Sequence, residues 1–217
     1  MANDQLDEYE QGERVRSWLR ENGSSLLTGI LLGLALILGW QWYQGRNVRQ
    51  QEEAATQYRA LTDAIEAKDE AKAATFAAVI DKDFADTAYA PLARMRRAAF
   101  LQSLGKSDEA IALLKSAPVP ADAAVAEMQA LRLARLQLIG GKAGDALQTL
   151  APLSQPLYPA QVGELRGDIH VALGHAEDAR KAYEQAMTVL DEAAPMRRLV
   201  ELKLIEAGGK APARPEA

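Results

Sequence analysis

The chain has 217 residues and a formal charge of -5, with 30 acidic residues against 25 basic ones and no cysteine. That composition excludes disulfides, thiolate catalysis and zinc–thiolate sites, and it offers none of the cationic field that a phosphate backbone requires. Aromatic residues make up 6%, and Ala, Leu, Glu, Lys, Arg and Gln dominate, which is helical composition with no stretch that reads as a strand.

Residues 1–23 form a short charged tail in which Arg14, Arg16 and Arg20 stand among Asp4, Asp7, Glu8, Glu10, Glu13 and Glu21. Residues 24–45 follow as the one segment suited to lipid. No charge occurs between Glu21 and Arg46, and twenty helical residues cover a hydrocarbon core of roughly 30 Å. Leu26, Leu27, Ile30, Leu31, Leu32, Leu34, Leu36, Ile37 and Leu38 together favour insertion by roughly 3–5 kcal/mol. Trp18 before the run and Trp40, Trp42 and Tyr43 at its end suit the two interfaces. A buried core helix would show a polar face, and a cleaved signal would end in small residues rather than LGWQWYQG. The segment is therefore expected as an uncleaved anchor. Arginines balance on its two sides, so charge alone does not orient it. Gly29 and Gly33 lie on one helical face; they suit close contact with another membrane helix, or reflect only how common glycine is in such helices.

Beyond the anchor, Ala54, Tyr58, Leu61 and Ile65 recur at helical spacing, so the helix is expected to continue into the next domain, 46–207. A second helix carries Ala73, Phe76, Ala77 and Ile80. The chain then repeats: Gly105–Ala110, Gly141–Ala146 and Gly174–Ala179 match at offsets of 36 and 33 residues. Seven residues before each glycine stands a small residue (Ala98, Ala134, Gly167), and four after each alanine a large one (Leu114, Leu150, Tyr183). Each unit reads as a helical hairpin, with glycine in the turn and a small residue where two helices approach. Prolines 118, 120, 152, 156 and 159 fall between hairpins. This is the tetratricopeptide pattern, with a period of about 34 residues. The predicted fold is all-α: an N-terminal transmembrane helix, then a tetratricopeptide-like solenoid whose first hairpin, Gln51 to Asp81, lacks the glycine and is degenerate. Pro195 to Glu206 is expected as a lone covering helix, and 208–217 as a disordered tail.

No catalytic constellation is present. His170 and His175 fall on a helix and in a turn and are expected as surface or packing residues; no catalytic, cofactor or metal site is assigned. In this fold the first helix of each hairpin lines the concave side, which places Leu92, Met95, Met128, Leu131 and Arg135 on a candidate partner-binding face grading towards Gln161, Glu164 and Asp168. Packing against neighbouring helices is the competing role for each apolar residue among them.

The whole pattern resembles the ancillary subunits of the bacterial SecYEG translocon, the YfgM-like family. The resemblance rests on Arg16, Trp18, Glu21, Asn22 and Gly23, on Gly39-Trp40, on Leu131, Arg132, Ala134, Arg135, Gln137 and Leu138, and on Arg166-Gly167-Asp168. It implies an inner-membrane protein with a cytoplasmic N-terminus and periplasmic repeats that assists periplasmic chaperones with newly exported proteins, and the missing catalytic constellation makes it non-enzymatic. Its implied partners are the Sec translocon channel subunits, a membrane-anchored periplasmic prolyl-isomerase-type chaperone and exported polypeptides. A scaffold that assembles an envelope complex without binding clients is the alternative.

Overall fold

The structure, a computed structural model, describes residues 2–210, with residues 2–15 described by their backbone alone. Most of the tail expected at 208–217 therefore lies outside the described residues. Nine helices and no strand occur among them: α1 Ala2–Glu66, α2 Glu70–Asp83, α3 Tyr89–Ser103, α4 Ser107–Lys115, α5 Ala123–Ile139, α6 Ala143–Leu150, α7 Pro159–Ala172, α8 Ala176–Val189 and α9 Pro195–Glu206. The tail expected at 1–23 is helical from Ala2 onward. Contacts divide the chain into one unit up to Glu53 and a second from Ala54.

In the first unit none of the described residues covers the apolar run. Its leucines, isoleucines and tryptophans from Leu26 to Tyr43 are exposed, and the helix is long and apolar enough to cross a membrane. The Thr28 hydroxyl donates to the Ser24 carbonyl at 2.8 Å, so the polar side chain in the middle of the run is satisfied within the helix.

The second unit is built from one turn used repeatedly. Gly105, Gly141 and Gly174 adopt φ of 78°, 73° and 77°, the left-handed region that costs glycine nothing. At each turn the next amide donates five residues back, Lys106 to Leu101, Lys142 to Gln137 and His175 to His170, at 2.8–2.9 Å. This closes the helix by a Schellman turn. The α1–α2 junction is the same turn with Lys68 at φ 56° and the Asp69 amide on the Ala64 carbonyl at 2.9 Å. The hairpin expected as degenerate thus keeps the geometry while lacking the glycine.

Its seam is inverted as well. In the later hairpins a small residue on the first helix meets a large one on the second: Ala98 and Leu114 share one core cluster, and Ala134 and Leu150 another. The first hairpin has Leu61 in the small position and Ala77 in the large one, both buried, so the combined volume is kept while the roles swap. The tightest seam is α7 with α8, where a Cβ on Gly167 would lie 2.2 Å from the Tyr183 ring and one on Gly163 3.0 Å from the Ala186 Cβ. Helix α9 closes the array by burying Val200 and Leu204 against Ala179, Tyr183, Ala186 and Met187.

Two stability outcomes follow from this geometry. Gly167→Ala forces a fully buried ring to move and should destabilise the domain by roughly 1–3 kcal/mol, read as a lowered midpoint in thermal unfolding, whereas Ala121→Leu on the exposed loop should leave it unchanged. Lys68→Gly relieves a left-handed non-glycine residue and should raise stability by roughly 0.5–1 kcal/mol, while Gly141→Ala should lower it by a similar amount.

Candidate functional site

Helix α5 packs against both α3 and α7 as well as against its own partner α6, so α3, α5 and α7 stand side by side and form one face. The expected binding residues divide on it by helical phase. Met95 is 7% exposed and lies with Ala98, Leu101, Ile111 and Leu114; Leu131 is 8% exposed and lies with Ala134, Leu150 and Leu165. Both fill seams and present almost no surface. Leu92 is half-buried against the first of these clusters, whereas Met128 is 44% exposed and Arg135 is half-exposed with its guanidinium 3.4 Å from Glu164. Where Cβ atoms would stand on Gly29 and Gly33, the space is open.

The polar end of the face is an ion cluster that no sequence spacing pointed to. Glu164, 5% exposed, accepts from Lys203 Nζ at 2.6 Å and from Arg135. The same ammonium donates to Asp168 Oδ2 at 2.7 Å, and Asp168 Oδ1 accepts from the Tyr183 hydroxyl at 2.7 Å. Helices α5, α7, α8 and α9 are thereby tied at one place. Burial works to lower the Lys203 pKa, but the hydrogen bonds to Asp168 and Glu164 outweigh it and raise it. The ion pairs therefore contribute fully below lysine's ordinary value of 10.5 and fade only as pH climbs through the raised one. Burial first, and then the bond to Asp168, push the Tyr183 phenol up, so it stays a proton donor to the carboxylate.

A cleft of about 460 Å³ opens beside this cluster, lined by Asp168, Val171, Tyr183, Lys203 and Glu206. Its lysine is held by two carboxylates and its tyrosine is locked as a donor, so neither is an activated nucleophile.

Buried polar groups elsewhere position the loops. Glu127 accepts from the Leu157 and Tyr158 amides, each at 2.7 Å, fixing the entry to α7. Arg166 donates to the Leu150 and Leu153 carbonyls, and Arg197 to that of Leu190, satisfying the ends of α6 and α8. Unlike the polar outer face of a terminal cap, α9 keeps Leu199, Leu202 and Ile205 exposed. Their spacing of three residues was readable in the sequence, but which side of α9 meets α8 was not.

The chain is similar to known proteins over most of its length. Residues 16–209 match a family model described as a tetratricopeptide repeat-like domain. Three curated relatives carry the name ancillary SecYEG translocon subunit. The one from Haemophilus influenzae is 28% identical over 182 residues, 83% of this chain and 89% of its own. The Aggregatibacter actinomycetemcomitans protein is 25% identical over 92% of this chain and 97% of its own. The Escherichia coli K12 protein is 31% identical over 82% of this chain and 86% of its own. No solved structure matches the chain significantly.

Removing Lys203 leaves Glu164 buried with only the longer Arg135 contact. Lys203→Met should cost roughly 2–3 kcal/mol, somewhat less than a fully enclosed pair because the ammonium keeps some water. In a double-mutant cycle, adding Glu164→Gln should cost markedly less in the Lys203→Met background than alone. Additive losses in thermal unfolding would show that the cluster carries no coupling.

Proposed function

This chain belongs to the family of ancillary SecYEG translocon subunits that carry a tetratricopeptide repeat-like domain, and from that membership we propose that it is a non-enzymatic, membrane-tethered interaction subunit of the Sec translocon. Residues 24–45 span the bacterial inner membrane once, with the N-terminus in the cytoplasm and the repeats in the periplasm. The observation that carries the reading is the pairing of an apolar helix that none of the described residues covers with a repeat domain whose relatives are named for the translocon.

The tether makes strong contacts unnecessary. A weak site held beside its partner behaves as though the partner were at roughly millimolar concentration. The uncovered Gly29–Gly33 face is suited to close approach by a channel helix. Met128 and Leu92, with Arg135 beside them, are suited to the side chains of a membrane-anchored periplasmic prolyl-isomerase-type chaperone or of exported polypeptides. Because Met95 and Leu131 are buried, the apolar strip is narrow. That narrowness favours fixed partners over extended clients and gives weight to the second reading, a scaffold that binds no client.

A phosphatase active only in the periplasm, fused after Ala217, should be active; a stable but inactive fusion would put the repeats in the cytoplasm. Photo-crosslinkers at Leu92 and Met128 in living cells should capture an envelope chaperone or exported chains, and a probe at Lys142 on a turn should capture far less. Replacing Gly29 and Gly33 with leucine should weaken co-purification with the channel and leave the repeat domain folded. Equal capture from all three probe positions would move the contact surface off this face.

A further inference from the structure

The chain has two histidines, and the third Schellman turn brings them together. His175, the first residue after Gly174, occupies the place held by Lys106 and Lys142 in the two preceding turns. Those lysines reach back to the hairpin before: Lys106 pairs with Glu70, and Lys142 with Asp108 at 2.6 Å. His175 instead has its ring centroid 5.9 Å from that of His170, the residue whose carbonyl accepts the turn-closing bond from its amide at 2.9 Å. The places equivalent to His170 hold Ala64, Leu101 and Gln137. At this one turn both positions hold the same ligand type.

Asp178, in the first turn of α8, completes the group. Donor atoms of His170, His175 and Asp178 all lie within 4.8 Å of one another. The Nδ1 atom of His170 is buried and has no hydrogen-bond partner among the described residues. The Asp178 carboxylate is more than half-exposed and has only a loose contact at 3.9 Å with Lys181, so little is lost in turning it to a cation.

We propose that His170, His175 and Asp178 form a binding site for a divalent transition-metal ion of the zinc class. Two imidazoles and one carboxylate match the nitrogen and oxygen preference of such ions, and three protein ligands leave a fourth position for water or for a side chain of a bound partner. Tetrahedral coordination with bonds of about 2.0–2.1 Å sets the donors about 3.3 Å apart. The exposed His175 and Asp178 draw in to that spacing by rotamer changes about the fixed turn. The ion would clamp the end of α7 to the start of α8.

The test is titration of the full-length protein with zinc chloride in detergent, purified through an affinity tag that contains no histidine, with heat and bound metal both measured. One ion per chain should bind in the micromolar range, and metal should raise the unfolding midpoint of the repeat domain. His175→Ala, at an exposed position that does not threaten the fold, should lose both the stoichiometric binding and the thermal shift, as should His170→Ala. Glu177→Gln, on the same turn but outside the group, should keep both. Absence of stoichiometric binding, or binding and stabilisation undiminished in a folded His175→Ala protein, would overturn the site.

Discussion

The repeat domain depends on one constraint: the backbone must reverse within three residues so that a small side chain on one helix can meet a large one on the next. The left-handed turn at Gly105, Gly141 and Gly174 supplies the reversal. The seam at Ala98–Leu114, Ala134–Leu150 and Gly167–Tyr183 supplies the contact. Each depends on the other, because a longer turn would misplace the seam and a bulkier seam would push the helices off the turn. The first hairpin shows how much latitude this leaves. Lys68 accepts a strained backbone, and Leu61 and Ala77 exchange sizes across the seam. What is fixed is the turn geometry and the summed volume, rather than the residue at any one place.

Stacked repeats have open ends, and the C-terminal end here is held by charge as well as by apolar burial. Glu164 is almost fully buried, an arrangement that is unfavourable alone and acceptable only because Lys203 and Arg135 reach it from two other helices. Asp168 joins the same lysine to the Tyr183 hydroxyl. The side chain that fills the tightest seam is therefore also hydrogen-bonded into the cluster that docks α9. Ion pairs of this kind are commonly no better than apolar packing of the same volume, so the cluster's presence is no sign by itself of added stability.

Much of this was legible in the sequence, for a physical reason. A positive φ calls for glycine, a close helix approach calls for Gly or Ala, and an uncharged run of twenty residues suits lipid, so the turns, the seams and the apolar helix each left a residue-level mark. The rest left none. Lys68 is not a residue that advertises a left-handed turn. Lys203 and Glu164 are 39 residues apart and meet only because α9 folds back on α7. Met95, Met128 and Leu131 are all apolar residues on first helices, yet two are buried and one is exposed. Each of those helices touches neighbours on several sides, and hydrophobicity alone does not say which apolar residue the next hairpin will cover. His170 lies on α7 and His175 in the turn that follows it, and only that turn brings the two rings together.

In the proposed function these parts join through proximity: the uncovered apolar helix would confine the domain to a surface, and confinement would let a shallow face act without a deep pocket. That proposal has one central claim, association with the Sec channel in the membrane. The most direct measurement is native-gel migration of the full-length protein, expressed from its own promoter and solubilised from its own membranes in mild detergent, against that of the channel subunits. The account predicts that a substantial fraction migrates with SecYEG and that depleting the channel shifts that fraction to a smaller species. Migration independent of the channel at native expression levels would contradict it.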